Sequence, residues 1–363
     1  MNCITSTKTL DSVLTTTPVL FEGDPLWLLE IDDFQLEKDV VNYVKRMDSP
    51  GPLPLERTVI LGPSGYYDRW PSLKLEIRSP DNLNQFNHRL FERYDRLSRF
   101  AFTQGQIADR IEEDLVADII VLLLFDGLSY CDWINYPDVQ SCLVQGPTIT
   151  ENGFRRIIGH PTIASRLFKK GFKKRRGYSY WNRENELADD LFFGFDSSTQ
   201  MVRVAEFKEV LSNLSKLKGN RIFVQIITNG LDVVSHNYRD RPPVSTIASH
   251  LYNDILGGVI DTLSKIKASA LIYVSSDHGI LWKPEPDVDE KFISLNEKKM
   301  NSNRFTRGSF ISPYCKEFSV GNQIFSCLKY PYVFKMPSVK QWGIHGGISF
   351  QESIVPFLKI EVS

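Results

Sequence analysis

A chain of 363 residues, 42% of them hydrophobic and with a net charge of -1, can bury one large core and support a smaller accessory unit. So balanced a charge excludes a global pull toward nucleic acid or anionic membrane, and any basic footprint has to be local. Five scattered cysteines (Cys3, Cys131, Cys142, Cys315, Cys327), none in a C-x-x-C pair, speak against a disulfide framework and against a zinc-thiolate site.

The first residues, MNCITSTKTLDSVLTTTPVLF, lack a basic n-region and an apolar h-region, so a cytoplasmic location is expected. Residues 1–105 hold short strand-like runs at 58–61 and 73–77 among prolines, then a helix from about Leu83 to Phe100. They are expected to form a small accessory α+β unit, with the catalytic domain at 106–363. The GPSG at 62–65 lacks the Lys-Ser/Thr pair of a phosphate loop and reads as a turn.

From Ala117 the texture changes. Apolar β-rich runs at 119–125, 221–228 and 270–275 read as strands buried on both faces. The first, at seven residues, is far short of the ~20 that cross a membrane. Between them lie helical patterns. Phe207, Val210, Leu211, Leu214 and Leu217 keep helical spacing, and Lys218-Gly219-Asn220 supplies a stop. Ile247, Leu251, Ile255, Val259 and Leu263 repeat every four residues. A last strand spans 355–362. This alternation predicts a doubly wound, mostly parallel α/β sheet with helices on both faces.

Each central run delivers an acid just past its carboxyl end: Asp126, Asp232 and Asp277. In an open parallel sheet those ends share the edge where ligands bind. His236 follows Asp232 by four residues, His278 follows Asp277 directly, and His345 precedes the last strand. A single Asp at a strand end is usually a cap or turn former. Three converging carboxylates, however, repel one another unless cations neutralise them, and carboxylate with imidazole is the ligand mix of Zn²⁺ or Mn²⁺. A divalent metal is expected, with Zn²⁺ favoured over Mn²⁺.

The segments VLLLFDGLSY, PTIT, DVVSH, SSDHG and HGGISFQESIVPFLKI resemble those of the alkaline phosphatase superfamily. The tail from His345 to Ile360 and the NRFTRG at 303–308 more closely resemble the PglZ domain of bacterial phage-exclusion systems. The resemblance runs from about Ala117 to Ser363. It implies an alkaline-phosphatase-like fold and phosphoryl transfer through a two-metal centre. One metal is implied to be held by Asp126, Thr150, Asp277 and His278, the other by Asp232, His236 and His345. It further implies a Thr nucleophile that forms a phospho-threonine intermediate.

The nucleophile lies in GPTIT, where Thr148 and Thr150 are both candidates. Thr150 is favoured because ENGFRRII opens a helix behind it, and a helix N-terminus welcomes an anion. The competing reading of Thr150 is a helix N-cap. Asn152 is expected to contact phosphate, although it stands two residues after Thr150, where diesterase relatives have three. Arg304 and Arg307 are candidate phosphate clamps, or partners of the acids at 287–290. Cys142 lacks the C-x-P-x-R of a sulfatase, which discounts that chemistry.

Arg166, Lys169, Lys170, Lys173, Lys174, Arg175 and Arg176, with aromatics at 168, 172, 178, 180 and 181, form a candidate nucleic-acid contact or else a solvated helix end. The resemblance implies a metal-dependent phosphodiesterase acting on a nucleotide or oligonucleotide, with protein partners in phage defence and without a membrane. The alternatives are a phosphomonoesterase or mutase of the same superfamily, and a weakly active PglZ scaffold that binds protein partners or nucleic acid.

Overall fold

The structure is a computed structural model in which residues 20–30, 58–61, 80–181, 200–284, 291–297, 300 and 302–362 are described. The strand expected at 73–77, the turn at 62–65 and the acids at 287–290 lie outside the described residues.

A seven-stranded sheet forms the centre. Its strands, in chain order, are β1 (Ile119–Asp126), β2 (Gln140–Leu143), β3 (Lys174–Tyr180), β4 (Gln200–Arg203), β5 (Ile222–Asn229), β6 (Ala270–Ser276) and β7 (Ile354–Val362). They lie side by side in the order β2-β7-β6-β1-β5-β3-β4. All pairings are parallel except those of β7, which runs antiparallel to both β2 and β6. This is the doubly wound, mostly parallel α/β sheet that the alternation of runs predicts.

The pleat explains why the central strands are apolar throughout. Ile119, Val121, Leu123 and Phe125 of β1 point into one core, while Ile120, Leu122 and Leu124 point into the other. The first core takes in helix α1 (Pro80–Phe100) through Phe86, Leu90, Tyr94 and Leu97. The second takes in α2 (Thr150–Ile158) through Phe154, Ile157 and Ile158, and α3 (Ile163–Lys169) through Ile163, Ala164 and Leu167.

Helix α4 (Phe207–Leu214) stops a turn before Leu217. The four-residue repeat at 247–263 is built as α-helix Val244–His250, a π-helical stretch Leu251–Leu256 and α-helix Gly257–Leu263. Four steps of four overrun an α-helix by roughly 160° of rotation. The wider π turns absorb part of that drift and keep Leu251, Ile255, Val259 and Leu263 on the core.

Strand β3 departs from the sequence reading, which offers its first half as a nucleic-acid contact or a solvated helix end. Its ladder to β5 runs from Lys174↔Ile222 to Tyr180↔Thr228. Ladder hydrogen bonds come from the backbone, so a strand of mixed polarity pairs as well as an apolar one once its neighbours are buried. Among the described residues of the accessory region, Thr58–Leu61 is a strand as expected and pairs parallel with Leu20–Gly23.

Candidate active site

The carboxyl edge gathers the three acids. Asp126 is the last residue of β1, Asp277 follows β6 directly, and Asp232 opens the short helix α5 (Asp232–Asn237) after β5. They are 3%, 0% and 3% exposed. Two glycines permit this crowding. Gly127, at φ 75°, passes so close to α5 that a Cβ there would lie 2.9 Å from the Asp232 amide nitrogen. Gly153, inside α2, lies against Asp277, and a Cβ would come within 2.0 Å of its carbonyl oxygen. Gly153→Ala therefore has to push α2 away from the Asp277-His278 turn. A loss of roughly 1–3 kcal/mol in stability, read from urea unfolding, is expected together with loss of the site.

Ligand atoms of Asp126, Asp277 and His278 lie within 4.8 Å of one another, and so do those of Asp232, His278 and His345. The two histidines stack face to face, with ring centroids 4.0 Å apart and 8° between planes. Their protonation follows from what they touch. His278 Nδ1 is 3.1 Å from the Gly279 carbonyl and His345 Nδ1 is 2.9 Å from the Thr148 carbonyl. Carbonyls only accept, so each Nδ1 carries a proton, which leaves Nε2 as the ring atom facing inward. There His278 Nε2 faces Asp277 Oδ2 at 3.3 Å and Asp126 Oδ1 at 4.0 Å, while His345 Nε2 faces Asp232 Oδ1 at 3.4 Å. Nε2 of a neutral ring and a carboxylate oxygen at that spacing can share a cation between them. This donor set, three buried carboxylates and two imidazoles fixed through their far nitrogens, fits divalent metal ions.

Thr150 is the first residue of α2 and is 3% exposed. The cap position belongs to Ile149, and no side chain caps this helix, so the N-cap reading of Thr150 does not hold. Its hydroxyl lies 3.2 Å from His278 Nε2, at the rim of the Asp126 group. Thr148 has a different job. Its hydroxyl accepts from Gly346 N (2.9 Å) and donates to Gly347 O (3.0 Å), pinning the loop that carries His345.

The remaining expected site residues divide. His236 Nε2 is 3.4 Å from Asp232 Oδ1, so His236 flanks the second group, with its side chain 40% exposed. Asn152 donates its amide to Gln145 O (2.9 Å) and Pro147 O (3.0 Å), holding the approach to Thr150 instead of offering those donors to phosphate. Arg304 is fully buried and forms an ion pair with Glu352 at 2.7 Å, so it is not a phosphate clamp. Glu352 in turn accepts from Gly347 N at 2.9 Å, which makes this pair the brace of the His345 loop. Arg307 is exposed on Phe305–Arg307, a strand of a separate three-stranded sheet.

The basic run does not form one face. Lys169 ends α3, Arg166 pairs with Asp109 and Glu112, and Arg175 is 3% exposed beneath Phe168. Phe172 and Tyr178 are buried and unable to stack on bases.

Trp181 belongs to the site, although in the sequence it reads only as one more aromatic beside the basic run. Strand β3 carries it to the carboxyl edge, where its Nε1–H donates to Asp126 Oδ2 at 2.6 Å and its ring packs edge-on against Phe154. A strand reading of 174–180 is the signal that would have placed it there. Gln104, also missed, is fully buried and donates to the carbonyls of Ser276 (2.7 Å) and Asp277 (2.8 Å). Trp181→Phe keeps the packing and removes the donor. It is expected to weaken metal binding by about 10–100-fold in a metal titration, the usual effect of losing a partner that orients a ligand.

Burial also shapes the loop after Asp126. Asp132, which accepts from Ser129 N at 2.8 Å, has its carboxyl pushed up to about 7 by desolvation. Tyr94 of α1 donates to Val144 O and accepts from Gly146 N, each at 2.8 Å, and burial raises its phenol pKa. Helix α1 thereby holds the loop leading to Thr150.

No protein-family model matches the chain, and no curated protein matches it. Among solved structures it is similar to murine ectonucleotide pyrophosphatase/phosphodiesterase 5, in an inactive form in complex with AMP. That likeness has a TM-score of 0.44 and 11% identity, over 66% of this chain and 87% of that one. Phosphonoacetate hydrolase from Sinorhizobium meliloti 1021, in complex with phosphonoacetate, gives a TM-score of 0.44 and 12% identity, over 67% and 90%. The C-terminal periplasmic domain of phosphoethanolamine transferase EptC from Campylobacter jejuni gives 0.35 and 10%, over 67% and 79%.

Proposed function

We propose that this chain is a metal-dependent phosphoric-ester hydrolase of the alkaline phosphatase type, acting on phosphodiesters of nucleotides or oligonucleotides. The observation that carries the proposal is the Thr150 hydroxyl at a helix N-terminus, 3.2 Å from His278 Nε2, the nitrogen that also faces the Asp126 and Asp277 carboxylates. Asp126, Asp277 and His278 are assigned to one ion, Asp232 and His345 to a second, and His236 reaches that second ion from the solvent side. Zn²⁺ is the favoured metal and Mn²⁺ the alternative.

Bound divalent ions supply positive charge that lowers the hydroxyl pKa and neutralises the phosphoryl oxygens. Thr150 Oγ attacks phosphorus in line, the ester oxygen leaves, and water then cleaves the phospho-threonine. The free N–H groups in the first turn of α2 favour the negative charge that builds up at that hydroxyl. Gly279 and Thr148 hold the two imidazoles by their Nδ1 protons, and Trp181 orients Asp126, so the ligand atoms need little rearrangement. The motif resemblance supports a setting in bacterial phage defence.

The test is an assay supplemented with Zn²⁺ or Mn²⁺ on a chromogenic phosphodiester, the matching monoester, and linear and cyclic oligonucleotides. Faster turnover of the diester supports the proposal. Preference for the monoester turns it to a phosphomonoesterase or mutase, and a metal-loaded protein without turnover makes the chain a scaffold.

A further inference from the structure

The geometry points to a second anion site on the opposite edge of the sheet, built to hold a compact oligophosphate, either free or as the tail of a nucleotide. A cavity of about 320 Å³ opens between the start of β3 and the residues that follow α4. Lys174, Arg176 and Tyr178 line it from β3, where alternate residues share a face, together with Ile222 of β5. Asn213, Lys216, Leu217 and Lys218 line it from the other side.

Among the described residues the lining contains four cations and no acid. A single phosphate carries about -2 at neutral pH, so four positive charges suit a chain of two or three phosphates better than one. Complementing the C-terminal dipole of α4 would account for Lys216 and Lys218 alone. It leaves unexplained why Lys174 and Arg176, from a different element, converge on them. Lys174 Nζ already reaches across to donate to the Lys218 carbonyl at 3.0 Å, which ties the two walls together.

The shape argues against a nucleic-acid strand. Strand binders rely on exposed aromatic rings for stacking. Here the one aromatic in the lining, Tyr178, is 4% exposed. The cavity is also separate from the metal-ligand cluster. Lys174 is in register with Ile222, and Ile222 with Ile119, whereas Asp126 is in register with Asn229 at the other end. At ~3.3 Å per residue the two sites stand roughly 23 Å apart.

Titration calorimetry on the full chain stripped of metal with EDTA tests this without involving the candidate active site. Tripolyphosphate is expected to bind one to one. K216E/K218E is expected to weaken it at least tenfold, while K265E/K267E, an equal charge change on exposed lysines outside the cavity, leaves it unaltered. Hydrolysis of the chromogenic phosphodiester by metal-loaded K216E/K218E is expected to match that of the unaltered chain. Absence of tripolyphosphate binding overturns the site, as does equal weakening by both double variants. Binding of an oligothymidylate but not of tripolyphosphate overturns the compact-anion assignment.

Discussion

Thr150→Ala is expected to fold, bind metal and lose turnover by on the order of 10⁶-fold, the scale seen when a serine protease loses its nucleophile. Three observations isolate the chemical role of this hydroxyl. Thr150 is not the cap of α2, so the helix start does not depend on it. Its contact is with His278 Nε2, the nitrogen that faces the carboxylates and not the one that anchors the ring. Its side chain is small, so truncation leaves only a minor void. Thr148→Ala provides the contrast. It removes the hydroxyl bridging Gly346 N and Gly347 O and leaves buried backbone groups unsatisfied, which costs about 1–3 kcal/mol and loosens the His345 loop. Single-turnover assays with urea unfolding separate the two variants. Full activity in Thr150→Ala would move the nucleophile elsewhere.

Chelation is expected to have the second large effect, on both turnover and stability. Asp126, Asp232 and Asp277 are almost wholly withdrawn from water, and their charges repel one another in a region that screens poorly. Ions that bind only the folded state stabilise it by about 2.7 kcal/mol at a free concentration 100 times their dissociation constant. EDTA should therefore abolish hydrolysis and lower the melting temperature by a few degrees, and added Zn²⁺ or Mn²⁺ should restore both. A rate and melting temperature indifferent to EDTA would sink the metal assignment.

The acids at the strand ends were readable because two local rules coincide. A run such as Ile119–Phe125 can be buried on both faces only in the middle of a sheet, and a parallel sheet brings all such carboxyl ends to one edge. The histidines followed from adjacency to those acids or from motif resemblance. What escaped reading depends on contacts distant in sequence. Arg304 looked like a phosphate clamp because nothing near it shows that Glu352, 48 residues away, neutralises it in the interior. Trp181 stood at the end of a charged segment, and only the pairing of β3 with β5 turns it toward Asp126. Asn152 sits in a motif-like place, but the loop carbonyls of Gln145 and Pro147 claim its amide. Arg175 hid strand β3 because a buried arginine over Phe168 mimics a solvated helix end in the sequence.

Strand β7 enters the sheet between β2 and β6, although it comes last in chain order among the described strands of that sheet. Until residues 354–362 leave the ribosome, those two strands have no neighbour to join them, and β6 keeps an open, apolar edge beside Asp277. Such an edge invites pairing with other chains. Glu352, which accepts from Gly347 N and braces the His345 loop, stands two residues before that same strand. Closure of the sheet and bracing of the candidate metal cluster are thereby placed in one stretch of chain.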